Sequence, residues 1–303
     1  MSRSDIFADI RHHAGAQNTT KFLHENVVLA AVEEILDSQK LTRTPVAYLG
    51  ALMMSLQAED SRTEPAVYAG MLTLLERTLS PEHVPRAVLL SKAPRIASAL
   101  VGVTNAHAEH PPVLKGALSC VLKLFGAQPS GAPASADSLK LFHWLLAFVV
   151  HPSPKVRARG QQAALAALEQ NTHLAEPAAR FIEQKLAAAA LKDVQPALHT
   201  LGFVRKSIGA LPPKPLASVA QALLRLPALS HPLLSKGASD VLIELCNGEG
   251  EGGPLPPAML QTIAEKMLNP SGSAGAGSSS SSKHDSSSAN PDPAALRAAA
   301  AAA

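Results

Sequence analysis

Apolar residues recur at intervals of three and four along most of this chain, the spacing that places them on one face of an α-helix. Between Phe22 and Leu36, for example, Val28, Val32 and Leu36 share a face. The pattern predicts twelve helical segments, which are 22–36, 46–56, 67–79, 87–100, 113–125, 139–150, 156–168, 174–191, 194–211, 216–226, 233–246 and 259–268. Pro94 is expected to break the fourth segment. Because no segment alternates as a half-buried strand would, the pattern predicts an all-α protein.

A short phrase opens every second helical segment, at a spacing near forty residues. The stretches 110–117 and 231–238 are near copies, and His151-Pro152-Ser153-Pro154-Lys155-Val156-Arg157 lies between them. Looser copies begin at His24, Glu64 and Lys192. A period near forty that is built from helix pairs is typical of HEAT or armadillo repeats. The sequence therefore predicts about six helix pairs stacked as a superhelix, an α-solenoid whose surface binds partners.

The composition changes sharply near residue 270 and divides the chain into two parts. Residues 1–269 carry the repeats and are expected to form one HEAT-like domain. Residues 270–303 are rich in Ser, Gly and Ala and include the unbroken serine run 278–282. A segment of this composition cannot bury enough apolar surface to fold, so we expect a disordered tail.

The composition also limits the kinds of partner. Hydrophobic residues make up 47% of the chain and aromatic residues only 3%, and the formal net charge is +3. This charge gives no strong general attraction to nucleic acid or to a membrane surface. The two cysteines, Cys120 and Cys246, lie in apolar helical segments and are predicted to be buried free thiols of a reducing compartment. We expect a soluble intracellular protein with no membrane partner, because the longest apolar stretch is about half of what a bilayer needs.

No arrangement of residues predicts catalysis or metal binding. The chain has 12 histidines, but His110, His151 and His231 occur one per repeat and cannot share a metal. They are expected to be turn or cap residues. The sequence has no glycine-rich phosphate loop, nucleophile elbow or paired-carboxylate motif. We therefore predict a protein that is not an enzyme, with no catalytic residue, no cofactor, no metal and no small-molecule substrate.

Basic residues recur near the start of the repeated second helices, and they form the candidate binding site. In a stacked array Lys115, Lys155, Lys192 and Lys236, with Arg157, would lie along one edge as an electropositive rim. Such a rim could bind an acidic partner or an RNA backbone. The alternative is that the lysines recur through repeat ancestry alone. Arg157 also has a structural alternative, in which it bonds carbonyls or acids of a neighbouring loop.

The amino-acid sequences of several helical segments are more specific than the general pattern of a solenoid. The stretches 28–39 and 48–53 are similar to the amino-terminal region of the ribosomal RNA-processing protein 12 family. Residues 118–122, 145–157 and 229–231 add further likeness in the same order, so the resemblance runs from about Asp5 to Cys246. The family's proteins are several times longer than this chain. We therefore expect an amino-terminal fragment, a truncated gene product or a shortened relative.

The resemblance implies a function as well as a fold. Members are HEAT-repeat, importin-like proteins of the nucleus and nucleolus that take part in the maturation and export of ribosomal subunits. Their partners are pre-ribosomal particles with their proteins, RNA and nuclear transport factors. The expected function is thus an interaction scaffold in ribosome biogenesis. Two alternatives stay open, a generic HEAT-repeat adaptor in transport or cytoskeletal assembly and an enzyme with an unrecognised site.

Overall fold

The structure is a computed structural model that describes residues 5–14, 23–58, 64–129, 131, 134–188, 194–226, 231–246 and 255–268. Lys192 and the predicted tail 270–303 lie outside these residues. Within the described part the regular elements are all helical, which confirms the all-α prediction. The contacts divide the chain into two compact units, residues 1–174 and 175–303.

The first unit contains eight α-helices among its described residues, and a short 3-10 turn closes it at Thr172–Leu174. The eight helices are α1 (Ala8–Ala14), α2 (Leu23–Ser38), α3 (Pro45–Gln57), α4 (Pro65–Thr78), α5 (Arg86–Ala106), α6 (Pro111–Gly126), α7 (Ala136–Val149) and α8 (Pro154–Gln170).

The helices of the first unit pack as pairs, each in contact with the next along the chain. Helix α1 packs on α2, α3 on α4, α5 on α6 and α7 on α8. The second helices α2, α4, α6 and α8 also contact one another in sequence and form one layer. The first helices α3, α5 and α7 do the same on the other side. This two-layer stack is the packing that a helical repeat requires.

The second unit repeats this arrangement with fewer described helices. They are α9 (Ala175–Ala188), α10 (Gln195–Ser207), α11 (Pro213–Leu223), α12 (Pro232–Cys246) and α13 (Pro257–Leu268). Helix α9 pairs with α10 and α11 with α12, while α10 contacts α12 and α9 contacts α11. The described helices of the two units form six pairs, and each of the six second helices among them begins at a predicted phrase.

The repeated phrase has a clear physical basis at the start of the second helices. Helices α4, α6 and α8 each have proline in the first turn, where its missing N–H has no intrahelical partner to lose. A glycine follows five residues into α6 and α12. A Cβ on Gly116 would lie 2.8 Å from Leu72 Cβ, and one on Gly237 would lie 2.9 Å from Leu201 Cδ1. The glycines therefore allow neighbouring second helices to approach closely.

The prediction about Pro94 was wrong, because α5 continues through it from Arg86 to Ala106. Proline there removes one backbone hydrogen bond, but Leu89, Ile96 and Leu100 are buried on both sides of it. Their packing holds the helix together across the missing bond. By length and composition alone α5 could cross a membrane, a test that the core helix of a soluble protein also passes.

Candidate binding surface

The described rim residues lie at the starts of second helices, but they do not share one environment. Lys115 on α6 and Lys155 on α8 are exposed, and these two helices are neighbours in the first unit. Lys236 is exposed on α12 of the second unit. Lys192 is outside the described residues. The structure thus places two of the four lysines on adjacent helices of one layer.

Arg157 is half-buried and braces a turn. Its guanidinium donates hydrogen bonds to the carbonyl oxygens of His151 at 2.8 Å and Pro152 at 3.0 Å. These carbonyls belong to the loop that precedes its own helix α8, whereas the sequence suggested a neighbouring loop. With two of its donors used in this way, Arg157 is less available for a partner than the exposed lysines.

The repeated histidines act as turn residues in two of the three phrases. His151 Nδ1 accepts a hydrogen bond from the backbone N–H of Ser153 at 3.1 Å, and His231 Nδ1 accepts one from Leu234 at 3.4 Å. Burial, followed by a smaller effect of Arg157, lowers the pKa of His151. His110 precedes α6 without a side-chain capping bond, and its ring lies 5.8 Å from that of His107.

A groove of about 800 Å³ lies along α4, between the starts of α2 and α6. We call it the α4 groove. Its lining residues come from all three helices, and they are His24, Glu25, Glu64, Pro65, Ala66, Ala69, Gly70, Thr73, Glu76, His110, Pro112, Val113, Lys115, Gly116 and Ser119. The middle of the groove is formed by small residues of α4. Lys115 therefore borders a groove that also carries three glutamates, a setting that the sequence did not indicate.

Arg159 joins three second helices at one end of the α4 groove. Its Nε donates to Ser119 Oγ of α6 at 2.8 Å, and a terminal nitrogen donates to Glu76 of α4 at 3.2 Å. A third hydrogen bond reaches Gln162 of α8 at 2.8 Å. Sequence reasoning missed this residue, because Glu76 is 83 positions away. The only local signal is that Arg159 lies one helical turn after Lys155.

A polar network fixes α1 against α2 and α3. Arg11 bonds Asp5 and Glu33, and it donates to the Tyr48 hydroxyl at 2.9 Å. Tyr48 donates in turn to Glu33 at 2.9 Å. Burial and this bond to the carboxylate raise the pKa of Tyr48 to about 12. The groups are paired with one another, so the network is a structural element of the first helix pair.

The two cysteines differ in their surroundings. Cys120 is fully buried in α6, and its thiol lies 3.4 Å from the carbonyl oxygen of Leu72. Cys246 at the end of α12 is only half-buried, so the prediction of two buried thiols holds for one of them. Burial raises the pKa of both thiols. A raised pKa disfavours the thiolate that a nucleophilic cysteine needs.

The described residues contain no group of three or more His, Cys, Asp or Glu side chains placed to hold a metal ion. A family model for the N-terminal HEAT repeats of RRP12-like proteins matches residues 2–251.

Three relatives agree with this match. The chain is 30% identical to the RRP12-like protein of Gallus gallus over 243 residues, which are 76% of this chain and 18% of that protein. It is 30% identical to the human RRP12-like protein over 221 residues, 69% of this chain and 17% of the relative. A Schizosaccharomyces pombe protein with the provisional name ribosomal RNA-processing protein 12 is 33% identical over 138 residues, 45% of this chain and 12% of that protein. The chain thus spans less than a fifth of the length of these relatives, and it belongs to the RRP12-like family as a form of its N-terminal HEAT repeats.

Proposed function

We propose that this chain is a non-catalytic interaction scaffold in ribosome biogenesis, acting in pre-ribosomal RNA processing and in the maturation or export of ribosomal subunits. The observation that carries the proposal is the family match over residues 2–251, joined to a relative named for ribosomal RNA processing. The two-layer helix stack supports it, since repeats of this kind offer extended surfaces for binding. The proposed partners are pre-ribosomal particles and nuclear transport factors, and the proposed location is the nucleus and nucleolus.

Cell fractionation tests this proposal. The tagged chain is expressed at low level, and nuclear extract is separated on a sucrose gradient. We expect nucleolar enrichment and co-sedimentation with precursor ribosomal RNA that is lost after ribonuclease treatment. A chain that stays with cytoskeletal or vesicle fractions, and never with precursor RNA, would favour the generic adaptor instead.

We further propose that the exposed lysines of the second helices contribute contacts to RNA phosphates. Cations near a helix N-terminus oppose the helix dipole by a few tenths of a kcal/mol, so their recurrence there has a small cost to stability. The described contacts include no ion pair for Lys115, Lys155 or Lys236. Lys192 belongs to the same proposal through the sequence pattern, and Arg157 contributes chiefly by bracing the turn beside Lys155.

Charge reversal with a matched control tests the lysines. Changing Lys115, Lys155 and Lys236 to Glu moves the net charge from +3 to −3, and so does changing the exposed first-helix residues Lys92, Lys140 and Lys214. We expect the first variant to bind single-stranded RNA more weakly than the second. Its plot of log affinity against log salt should be flatter by about 0.7 per lost phosphate contact. If both variants are folded and lose RNA affinity equally, only the net charge of the chain matters for binding. That result would reject the rim.

A further inference from the structure

We propose that the α4 groove binds an extended, lysine- or arginine-bearing segment of a partner protein. This inference rests on the proposed scaffold function and names the chemistry of one partner. The groove follows α4 because the residues of α4 that line it between Glu64 and Glu76 include the small side chains of Ala66, Ala69 and Thr73 and the bare backbone of Gly70. From Glu64 to Glu76 it extends for about 18 Å at the helical rise of 1.5 Å per residue.

Glycines allow α2 and α6 to pack closely against α4 on the two sides of the groove. A Cβ on Gly70 would lie 3.2 Å from the backbone of His24, so the start of α2 lies directly against α4. On the other side Gly116 brings α6 to within contact of Leu72. A chain of about five residues in extended form would span the length of the groove at about 3.3 Å per residue.

Two carboxylates along the first half of the groove favour a cation. Glu25 comes from the first turn of α2, and Glu64 precedes α4 without making a side-chain capping bond. Among the described residues neither carboxylate has an ion-pair partner, whereas Glu76 at the other end is bonded to Arg159. Lys115 is the single lysine of the lining. Lysine or arginine side chains of a partner that follows α4 from Glu64 to Gly70 would meet both carboxylates, because the backbone of Glu25 lies beside Gly70.

The same charges disfavour RNA in this groove. A phosphate beside Glu25 or Glu64 would meet like charge, which raises its free energy of binding. The alanines between the two ends offer an apolar floor that suits small or aliphatic side chains of a peptide. The lining contains no Phe, Tyr or Trp, the side chains that most often stack on bases of single-stranded nucleic acid.

Peptide binding to the full chain tests the proposal. The probe is a fluorescent ten-residue peptide of alanine and glycine with two lysines three positions apart, and its binding is followed by anisotropy. In extended form this spacing is about 10 Å, close to the rise of about 9 Å between Glu64 and Gly70. We expect Glu25→Gln with Glu64→Gln to weaken binding roughly fivefold to tenfold, because two partly exposed charge pairs are lost. The control is Glu34→Gln with Glu169→Gln, which changes the same charge at exposed positions of α2 and α8 outside the groove. This control should bind the peptide as the unchanged protein does.

A second variant blocks the floor of the groove. Ala69→Trp fills the middle of the groove from a half-exposed position and should abolish peptide binding while the melting temperature stays close to that of the unchanged protein. The proposal would be overturned if the two double glutamine variants bound the peptide with equal affinity. It would also be overturned if the Ala69→Trp variant still bound the peptide. The proposal would also be overturned if Ala69→Trp abolished the binding of an RNA oligonucleotide and left peptide binding unchanged. The peptide assay uses purified protein, so a negative result would not alter co-sedimentation with precursor RNA on the sucrose gradient. The gradient therefore tests the proposed function separately.

Discussion

The two compact units repeat the same packing between second helices, yet different polar contacts join those helices. In the first unit Gly116 of α6 packs on Leu72 of α4, and in the second Gly237 of α12 packs on Leu201 of α10. Arg159 then ties three second helices of the first unit together through Glu76 and Ser119. In the second unit the described ion pair between second helices is Arg205 with Glu244, and both side chains are well exposed.

The difference shows which features come from the repeat and which are local. The helix-opening phrase reproduces backbone packing wherever it occurs, because proline, glycine and the apolar face act through neighbours a few residues away. The polar links depend on side chains of helices that are distant in sequence, so nothing in the phrase repeats them. Replacing glycines at equivalent positions of the phrase should therefore change the free energy of unfolding by similar amounts. The exceptions are positions where the new Cβ would meet a different kind of atom.

The largest expected effect comes from replacing glycines that face different atoms. A Cβ on Gly160 would meet Phe148 backbone atoms at 2.9 Å, so Gly160→Ala should lower the free energy of unfolding by about 2 kcal/mol. Gly116→Ala meets Leu72 Cβ and should cost about 1 kcal/mol. Gly237→Ala meets only the movable end of Leu201, and the better helix propensity of alanine should offset most of the strain.

Urea melts followed by circular dichroism measure this series. Gly102→Ala is the control, because its Cβ would meet nothing within 4 Å and alanine should stabilise α5 by up to about 1 kcal/mol. An equal loss at Gly116 and Gly237 would show that the facing atom does not matter and would break the comparison.

A smaller difference is expected between the two arginines that join second helices. Arg159→Gln removes hydrogen bonds of a side chain that is 24% exposed, and we expect it to lower the free energy of unfolding by about 1 kcal/mol. Arg205→Gln removes a pair that is 66% and 42% exposed, which should change stability by less than about 0.5 kcal/mol. Each variant removes one positive charge, so each is a control for the effect of net charge in the other. A larger loss for Arg205→Gln in thermal melts would contradict the proposed role of Arg159.

The smallest effect concerns thiol chemistry and leaves stability unchanged. Half-buried Cys246 should react with a thiol reagent in the folded protein, whereas Cys120 should react only after unfolding. Because burial raises the pKa of both thiols, the reaction of Cys246 should quicken as pH rises above neutrality. Counting labelled thiols by mass measures the difference, and Cys246→Ser should abolish labelling of the folded chain. One label retained in that variant would mean that Cys120 is accessible.

Much of the fold was predictable because its determinants are local. The twelve predicted segments coincide with α2 to α13 to within a few residues at most ends, and Leu146 and Val156 are buried as their spacing requires. Helix α1 was missed, since seven residues give too short a pattern. Its place is set by Phe7, whose ring lies 5.0 Å from that of Tyr48, and by the bonds of Arg11.

The candidate site was less predictable than the fold. Sequence spacing located the exposed lysines Lys115 and Lys155, but it could not show that Arg157 bonds the carbonyls before its own helix. It also gave no sign that Lys115 borders a groove with three glutamates. Glu25, Glu64 and Lys115 come from the starts of three separate helices, so they line one groove only when those helices pack side by side.

The sequence by itself determined helices α2 to α13, the repeat that they form and the family, because periodicity, proline and glycine act over one or two helical turns. Only the tertiary structure decided which charges share a surface. Arg159 meets Glu76 across 83 positions of sequence, and the α4 groove exists because α2, α4 and α6 approach at Gly70 and Gly116. Electrostatic interactions depend on distance in space, and the stacking of repeats sets that distance.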